Sequence, residues 1–458
     1  MSMAQLRVAD SSVRDEGSFL APPKPQERLP WLLATFCLMF TILPSYLVAP
    51  IPFVSIASPG RIIGIIFFSL AILGFLLLRR NTIAPTVNPG AILLVIYLLI
   101  TVAVWGIGLS HLGTASQEAV KSAAIVPWLA PVGLALYTLR RVVTTKQRSI
   151  ILGCLLIGIT YSGAVGLVQH TTQINFADLL QPPGFHNNQT DGTTKGLISK
   201  LTERAGATRA YGTFLHPIPF SVSCASAIPL GLHFARYATT RNIRVLATIA
   251  TGVLILAVPA GVARSGLIAL AIALIVYSRT FTLRQICSAV TVFALVFLTY
   301  IVVVPNTAQA LYQTIVNSEE DQSVLVRIGP QYDLMVDTFR AHPISGVGLG
   351  AVTIEDYGVV DNQWLTVMAE GGILGLAALT ALAAGGVFGI TAALRRTTAS
   401  RDRDQVYAMA AAFLAILVNS TTFKLFGFEQ TLLLFFMLFA LLWTNCARNQ
   451  SATVPISG

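Results

Sequence analysis

Apolar runs of membrane-spanning length recur along this chain, and they restrict its fold more than any other feature. Inside hydrocarbon every backbone N–H and C=O must find a partner within the protein, so such runs form helices. Measured against the roughly 17–25 residues a span requires, the runs fall at about 31–50, 61–78, 90–109, 122–138, 149–169, 211–234, 244–260, 263–278, 285–304, 363–393, 405–420 and 429–446. The expected fold is therefore an all-α polytopic membrane protein of about 12 transmembrane helices. Composition agrees, with 54% of the 458 residues hydrophobic and 11% charged, against about 25% charged in a soluble protein. The net charge of +10 does not point to nucleic acid, because there is no soluble basic domain to carry it. In a membrane chain Lys and Arg hold cytoplasmic loops in place.

Charge sets the sidedness. With the N-terminus in the cytoplasm, 20 of the 30 Lys and Arg fall on the inner side, and 14 of the 20 Asp and Glu fall outside. Every short inner loop then obeys the positive-inside rule, which predicts that both termini are cytoplasmic. Residues 1–30 are polar and Pro-rich and read as a disordered tail. Residues 31–446 form the transmembrane domain, and 447–458 are a second cytoplasmic tail. No cleavable signal pattern precedes the first apolar run. The cysteines at 37, 154, 224, 287 and 446 sit in apolar segments without CxxC spacing, and read as buried thiols.

Two outer loops are long, about 170–210 and 305–362. The second holds "GPQYDLMVDTFRAHP", where Pro330 suits a helix start and Tyr332, Met335, Val336 and Phe339 share a face. Short interfacial helices are expected there, and long structured loops are commonly functional. "GVGLG" (346–350) follows no strand and reads as a turn.

The ionisable residues gather at the outer side. Arg264 opens the eighth span, where a guanidinium beside a helix N-terminus suits a diphosphate. The plainer account is snorkelling to lipid phosphate. In "RAYGTFLHPIPF" Arg209 is followed by His216 about two turns later, and the prolines open the local backbone. His216 is otherwise a hydrogen-bonded core histidine. Arg327 opens the helical part of the second loop, or is a solvated loop charge. Asp361 and Asn362 stand at the entry to the tenth span with good N-cap chemistry. Glu370 lies nine residues on, about 13 Å along a helix; an acid at that depth is a functional candidate or the partner of an outer arginine. His342 is a spare base. No His/Cys cluster with metal spacing and no Walker motif occurs, so neither cofactor nor metal is expected.

Four segments in order resemble the O-antigen ligase and O-antigen polymerase superfamily of bacterial membrane glycosyltransferases. They are "RAYGTFLHPIPF" (like the family's Arg–x–x–Gly–x–Phe–x–x–Pro), "ARSGL" (like its Ser–Arg–Ser/Gly helix start), "RIGPQYDLMVDTFRAHPISGVGLG" and "DNQWLTVMAEGGILGL", spanning about 209–376. The resemblance implies a metal-independent enzyme on the outer face of the bacterial cytoplasmic membrane. It would move or polymerise glycan from an undecaprenyl-diphosphate carrier onto a glycan, lipid or protein acceptor with a free hydroxyl, in cell-surface polysaccharide synthesis. Carried over, Arg209, Arg264 and Arg327 would bind the diphosphate, while Asp361, His216, Glu370 and His342 are the candidate catalytic groups. The chain departs from the ligase pattern in two places. Asp361–Asn362 stands where ligases usually carry His–Asn, and "HPIP" lacks the second Asn of Asn–Pro–Asn. A carboxylate can serve as general base in place of imidazole, so polymerase and ligase both remain open. A solute transporter and a non-catalytic scaffold of an envelope glycan complex are the alternatives from other classes.

Overall fold

The computed structural model describes residues 30–49, 58–77, 88–110, 124–177, 181, 183–187, 203–204, 206–288, short pieces between 290 and 312, and 330–444. The two expected tails (Pro30 aside), most of the expected ninth span, most of "NTAQALYQTIVN" and Arg327 lie outside these residues.

The architecture is a helical bundle. Its helices are α1 (Trp31–Ile42), α2 (Pro59–Leu77), α3 (Pro89–Ser110), α4 (Val126–Arg141), α5 (Thr145–Thr172), α6 (Pro217–Tyr237), α7 (Arg241–Ala260), α8 (Arg264–Tyr277), α9 (Pro330–Ala341), α10 (Ile354–Tyr357), α11 (Gln363–Arg396), α12 (Ser400–Asn419) and α13 (Glu429–Trp443). Five of these, α3, α5, α6, α7 and α11, are each long and apolar enough to cross a membrane. The protein is a multi-pass membrane protein. Ile92, Val95, Ile96 and Leu99 of α3, and Ile243, Leu246 and Ile249 of α7, stand exposed on the bundle surface, where lipid rather than water would meet them.

Every residue of α13 is buried, as expected of a helix apolar all round. The alanine-rich α12 packs beside it, with Phe413 stacked on Phe435 at 4.7 Å between ring centroids. Small residues let the helices approach closely: the Gly386 backbone lies against the Phe413 ring and Gly133 against the Phe68 backbone.

Two elements differ from the expectation. The sixth span starts at Pro217, not 211. Residues 209–216 form an irregular entry, where Gly212 has φ +59° and Pro217 occupies the first helical turn. The run at 363–393 is one helix in sequence but is broken at Gly372, with φ 57° and ψ −148°. A 34-residue helix would be about 51 Å long at 1.5 Å per residue, well beyond the hydrocarbon core of about 30 Å. The break resolves the excess by leaving a short piece, 363–371, ahead of the spanning part.

Direction along the helices defines two ends. The starts of α6 and α8 and the finish of α12 share one end, called here the Arg264 end. The finishes of α6 and α8 and the start of α12 share the other, the Asp404 end. Two small ladders lie at the Arg264 end. Strand β1 (Leu47–Val48) pairs antiparallel with β2 (His186–Asn187), with Leu47 opposite Asn187; β3 (Glu203–Arg204) pairs antiparallel with β4 (Ala207–Thr208). They tie the first long loop to the helix ends. Cys37, Cys154, Cys224 and Cys287 are free thiols, and Cys287, expected to be buried, is exposed because its segment presents Leu283, Cys287 and Val290 outward.

Candidate functional site

The site is built where the entry to α6 meets the start of α8. Pro259 stops α7, and residues 261–263 turn the chain back, with Val262 at φ 45°. Helix α8 then begins at Arg264 with Ala263 as its N-cap and no side-chain cap. By contrast α6, α7 and α11 are capped by His216, Thr240 and Asn362. The start of α8 is the positive end of its dipole, and Gly266 N donates to Ala263 O at 3.2 Å. The α6 entry runs alongside: Ala210 N donates to Ala260 O at 3.0 Å, and Arg209 Nε donates to Gly261 O at 3.4 Å. Two guanidiniums from different segments therefore serve one turn.

His216 sits beside them in a defined state. Its Nδ1 accepts from Ile218 N at 3.2 Å, so the ring proton belongs on Nε2. Burial and the neighbouring Arg209 guanidinium push its pKa down to about 4. With Nδ1 used by the cap and the ring neutral near pH 7, His216 is a hydrogen-bond donor and a helix cap.

The segment between α12 and α13 closes the site from the opposite side. Thr422 Oγ1 donates to Ser265 Oγ, next to Arg264, at 3.0 Å. Gln363 N donates to Ser420 O at 2.9 Å, and Phe426 N donates to Gln363 Oε1 at 2.8 Å. The Phe428 ring lies 5.7 Å from the His216 ring. One short segment thereby links the starts of α6, α8 and α11.

Glu370 is buried just before the break in α11. Its partner is Lys424, with Nζ and Oε1 3.8 Å apart, not one of the expected arginines. The carboxylate also accepts from the backbone N–H groups of Gly350 and Val352. Around it the 343–350 turn is bonded to the broken helix through the main chain. Val347 N and Gly348 N donate to Ala369 O and Glu370 O at 3.0 and 2.9 Å; Ile373 N and Leu374 N donate to Pro343 O and Ile344 O at 2.8 and 3.1 Å. These bonds satisfy the groups that the break frees, as burial requires. A Cβ on Gly372 would sit 2.6 Å from the Ile344 backbone, and one on Gly346 would sit 2.4 Å from Ala369 O. Glu370 thus anchors the 343–352 loop to the broken helix.

Asp361 lies at the rim in a groove it shares with Gln331, Tyr332, Met335, Val360, Asn362 and Leu365. Asn362 caps α11, its Oδ1 accepting from Trp364 N at 2.9 Å. Asp361, half-buried beside it, lines the groove together with Gln331, Tyr332 and Met335 of α9. His342 is exposed at the end of α9, apart from that groove. Among the described residues no group of three or more His, Cys, Asp or Glu is placed to hold a metal ion.

Residues 245–380, from the second turn of α7 past the break in α11, match the family model described as O-Antigen ligase. Over these residues the chain is similar to O-antigen ligases; no curated protein matches it. Arg264, Arg327, His342, Asp361 and Glu370 fall inside the matched region; Arg209 and His216 precede it, joined to it by the bonds at Ala260 and Gly261. Lys424, Thr422 and Gln363 were not singled out from sequence. For Lys424 the available signal was a cation in the short segment "NSTTFKLFGFEQ", on the side that the charge rule leaves nearly free of Lys and Arg.

Proposed function

We propose that this protein is a glycosyltransferase of the bacterial cytoplasmic membrane that takes a glycan from an undecaprenyl-diphosphate carrier and passes it to an acceptor hydroxyl, with the Arg264 end facing outward. The observation that carries this reading is the convergence of Arg209 on the uncapped turn that begins at Arg264. Two planar, permanently charged donors beside a helix N-terminus make a receptor for a diphosphate.

In the reaction a bond forms between the acceptor oxygen and the anomeric carbon, and the bond from that carbon to the diphosphate oxygen breaks. The electron pair stays on the leaving diphosphate, where Arg209 and Arg264 stabilise the charge that develops. Arg327, which the family pattern groups with them, is assigned the same task. The proton lost by the acceptor goes to the Asp361 carboxylate, the acid in the groove between α9 and α11. Glycan and lipid acceptors both suit this chemistry, which covers a polymerase and a ligase alike.

The test is transfer from a purified lipid-linked glycan in reconstituted membranes. Arg264→Ala is expected to lower turnover by about 10²–10³-fold, the usual effect of removing one donor to a developing anion, and Arg264→Lys to recover part of it. Full transfer by well-folded Arg264→Ala would refute the diphosphate assignment. Surface glycans from a deletion strain separate the two activities: single units still attached mean a polymerase is missing, whereas long chains left on the carrier mean a ligase is.

A further inference from the structure

Among the described residues Lys424 makes two polar contacts, both long. Its Nζ is 3.8 Å from Glu370 Oε1 and 3.5 Å from Val352 O. A charge-assisted N–H···O bond is ordinarily about 2.7–2.9 Å, and an ammonium has three donors. Most of the bonding capacity of Lys424 is therefore unspent, and its side chain is 35% exposed. Glu370 does not depend on it, because the carboxylate also holds the Gly350 and Val352 amides.

The backbone brings the segment that carries this ammonium to the donor site. Thr422, two residues earlier, is bonded to Ser265, and two residues of chain reach at most about 7 Å. Phe428, four residues later, packs on His216, which has Arg209 as a charged neighbour. The segment that carries Lys424 thus spans from the Arg264 turn to the Arg209–His216 entry. Glu370 borders Lys424 on the far side.

Resting on the glycan-transfer reading above, we propose that Lys424 is a further substrate-binding residue: an additional cation of the donor site that turns from Glu370 to the anionic diphosphate when the donor binds. Lysine suits such a task, being a compact charge on a flexible stem. In the empty site Glu370 holds the ammonium near the turn without engaging it closely. In the filled site the stronger anion takes it, and the Glu370 carboxylate keeps its bonds to the 350–352 backbone.

The experiment measures binding of farnesyl diphosphate, a short prenyl diphosphate, to the purified full-length protein in lipid nanodiscs. Lys424→Ala is expected to weaken binding by about 10- to 100-fold, the loss of one hydrogen bond to a charged group. Lys424→Arg should keep most of the affinity. Glu370→Gln, which preserves an acceptor for the loop amides, should bind at least as tightly as the wild type, and Lys424→Ala/Glu370→Gln should be as weak as Lys424→Ala. If Lys424 were merely the partner of Glu370, the double variant would regain wild-type binding, and that result would overturn the proposal. Arg264→Ala separates the two levels of inference. Loss of binding in Arg264→Ala with full binding in Lys424→Ala would sink the assignment of Lys424 alone. No binding by the wild type, or none lost in Arg264→Ala, would sink the donor-site reading beneath it.

Discussion

Charged side chains are buried at both ends of this bundle, and they are used in opposite ways. At the Asp404 end one carboxylate takes three donors at short range: Arg236 Nη1 at 2.6 Å, His233 Nδ1 at 2.7 Å and the Tyr277 hydroxyl at 2.9 Å. Arg236 also donates to the Thr280 hydroxyl and carbonyl, and lies over the Phe281 ring at 4.7 Å. These residues come from α6, α8 and α12, so the cluster pins three helices together. At the Arg264 end the described contacts of two cations are longer: 3.4 Å from Arg209 to Gly261 and 3.8 Å between Lys424 and Glu370. Tight, mutually satisfied groups give fixed geometry. Cations gathered at a helix start are suited to an anion that comes and goes.

The comparison predicts a double dissociation, and its largest effects come from the acid at each end. Asp361→Asn is expected to lower turnover by about 10²–10⁴-fold, the range for a general base, with little change in melting temperature. Asp404→Asn breaks a buried ion pair and is expected to cost about 3–5 kcal/mol of stability, while the rate per folded molecule stays near wild type. Turnover and thermal unfolding measured on the same preparations test this. If Asp404→Asn lost turnover without melting earlier, the division of labour between the two ends would be wrong.

A second variant tests how the loop is held over the Arg264 end. At Gly372 the φ of 57° with ψ of −148° lies in a region that glycine essentially alone adopts, and the position has no room for a Cβ. Gly372→Ala should cost about 1–3 kcal/mol in backbone strain and loosen the 343–350 turn from α11. Hydrogen exchange would then show faster exchange at Val347 and Gly348, whose amides are bonded across the break, than at α6. Unchanged protection of those two amides would mean that the turn is held by something other than the break.

Much of this could be read from sequence because membrane helices announce themselves. A run such as 90–109 has few alternatives in hydrocarbon, and the five described helices long and apolar enough to cross a membrane fall on the runs. Charge counting put Arg209 and Arg264 on one side and Arg236 and Asp404 on the other, and in the structure each pair shares an end. The break at Gly372 was harder to see, since "EGGILGL" is compatible with an unbroken helix until a loop is found bonded across it. The Glu370–Lys424 pairing joins residues 54 positions apart in sequence, through a segment whose path no periodicity reveals. Yet both residues were exceptions to local rules, an acid within a span and a cation on the sparsely basic side. Arg61, paired with Glu429 at 3.6 Å, is a further exception of this kind. In a membrane chain such exceptions are where long-range partners are found.

The smallest expected effect concerns His216, and it separates a cap from a base. The cap needs an acceptor at Nδ1, which the Asn side chain supplies and Ala does not. His216→Ala should cost about 1 kcal/mol of stability, and His216→Asn only a fraction of that, with transfer largely retained. The pH dependence follows from the depressed pKa. Unfolded, the imidazole titrates near 6.5; folded, it titrates near 4. The unfolded state therefore takes up the proton first as pH falls. The contribution of the neutral ring to stability is present in full above about 6.5 and declines as pH falls toward the folded value, whereas transfer shows no step at 6.5 from this residue. An activity inflection near pH 6.5 that vanished in His216→Asn would restore the histidine as the base and displace Asp361 from that role.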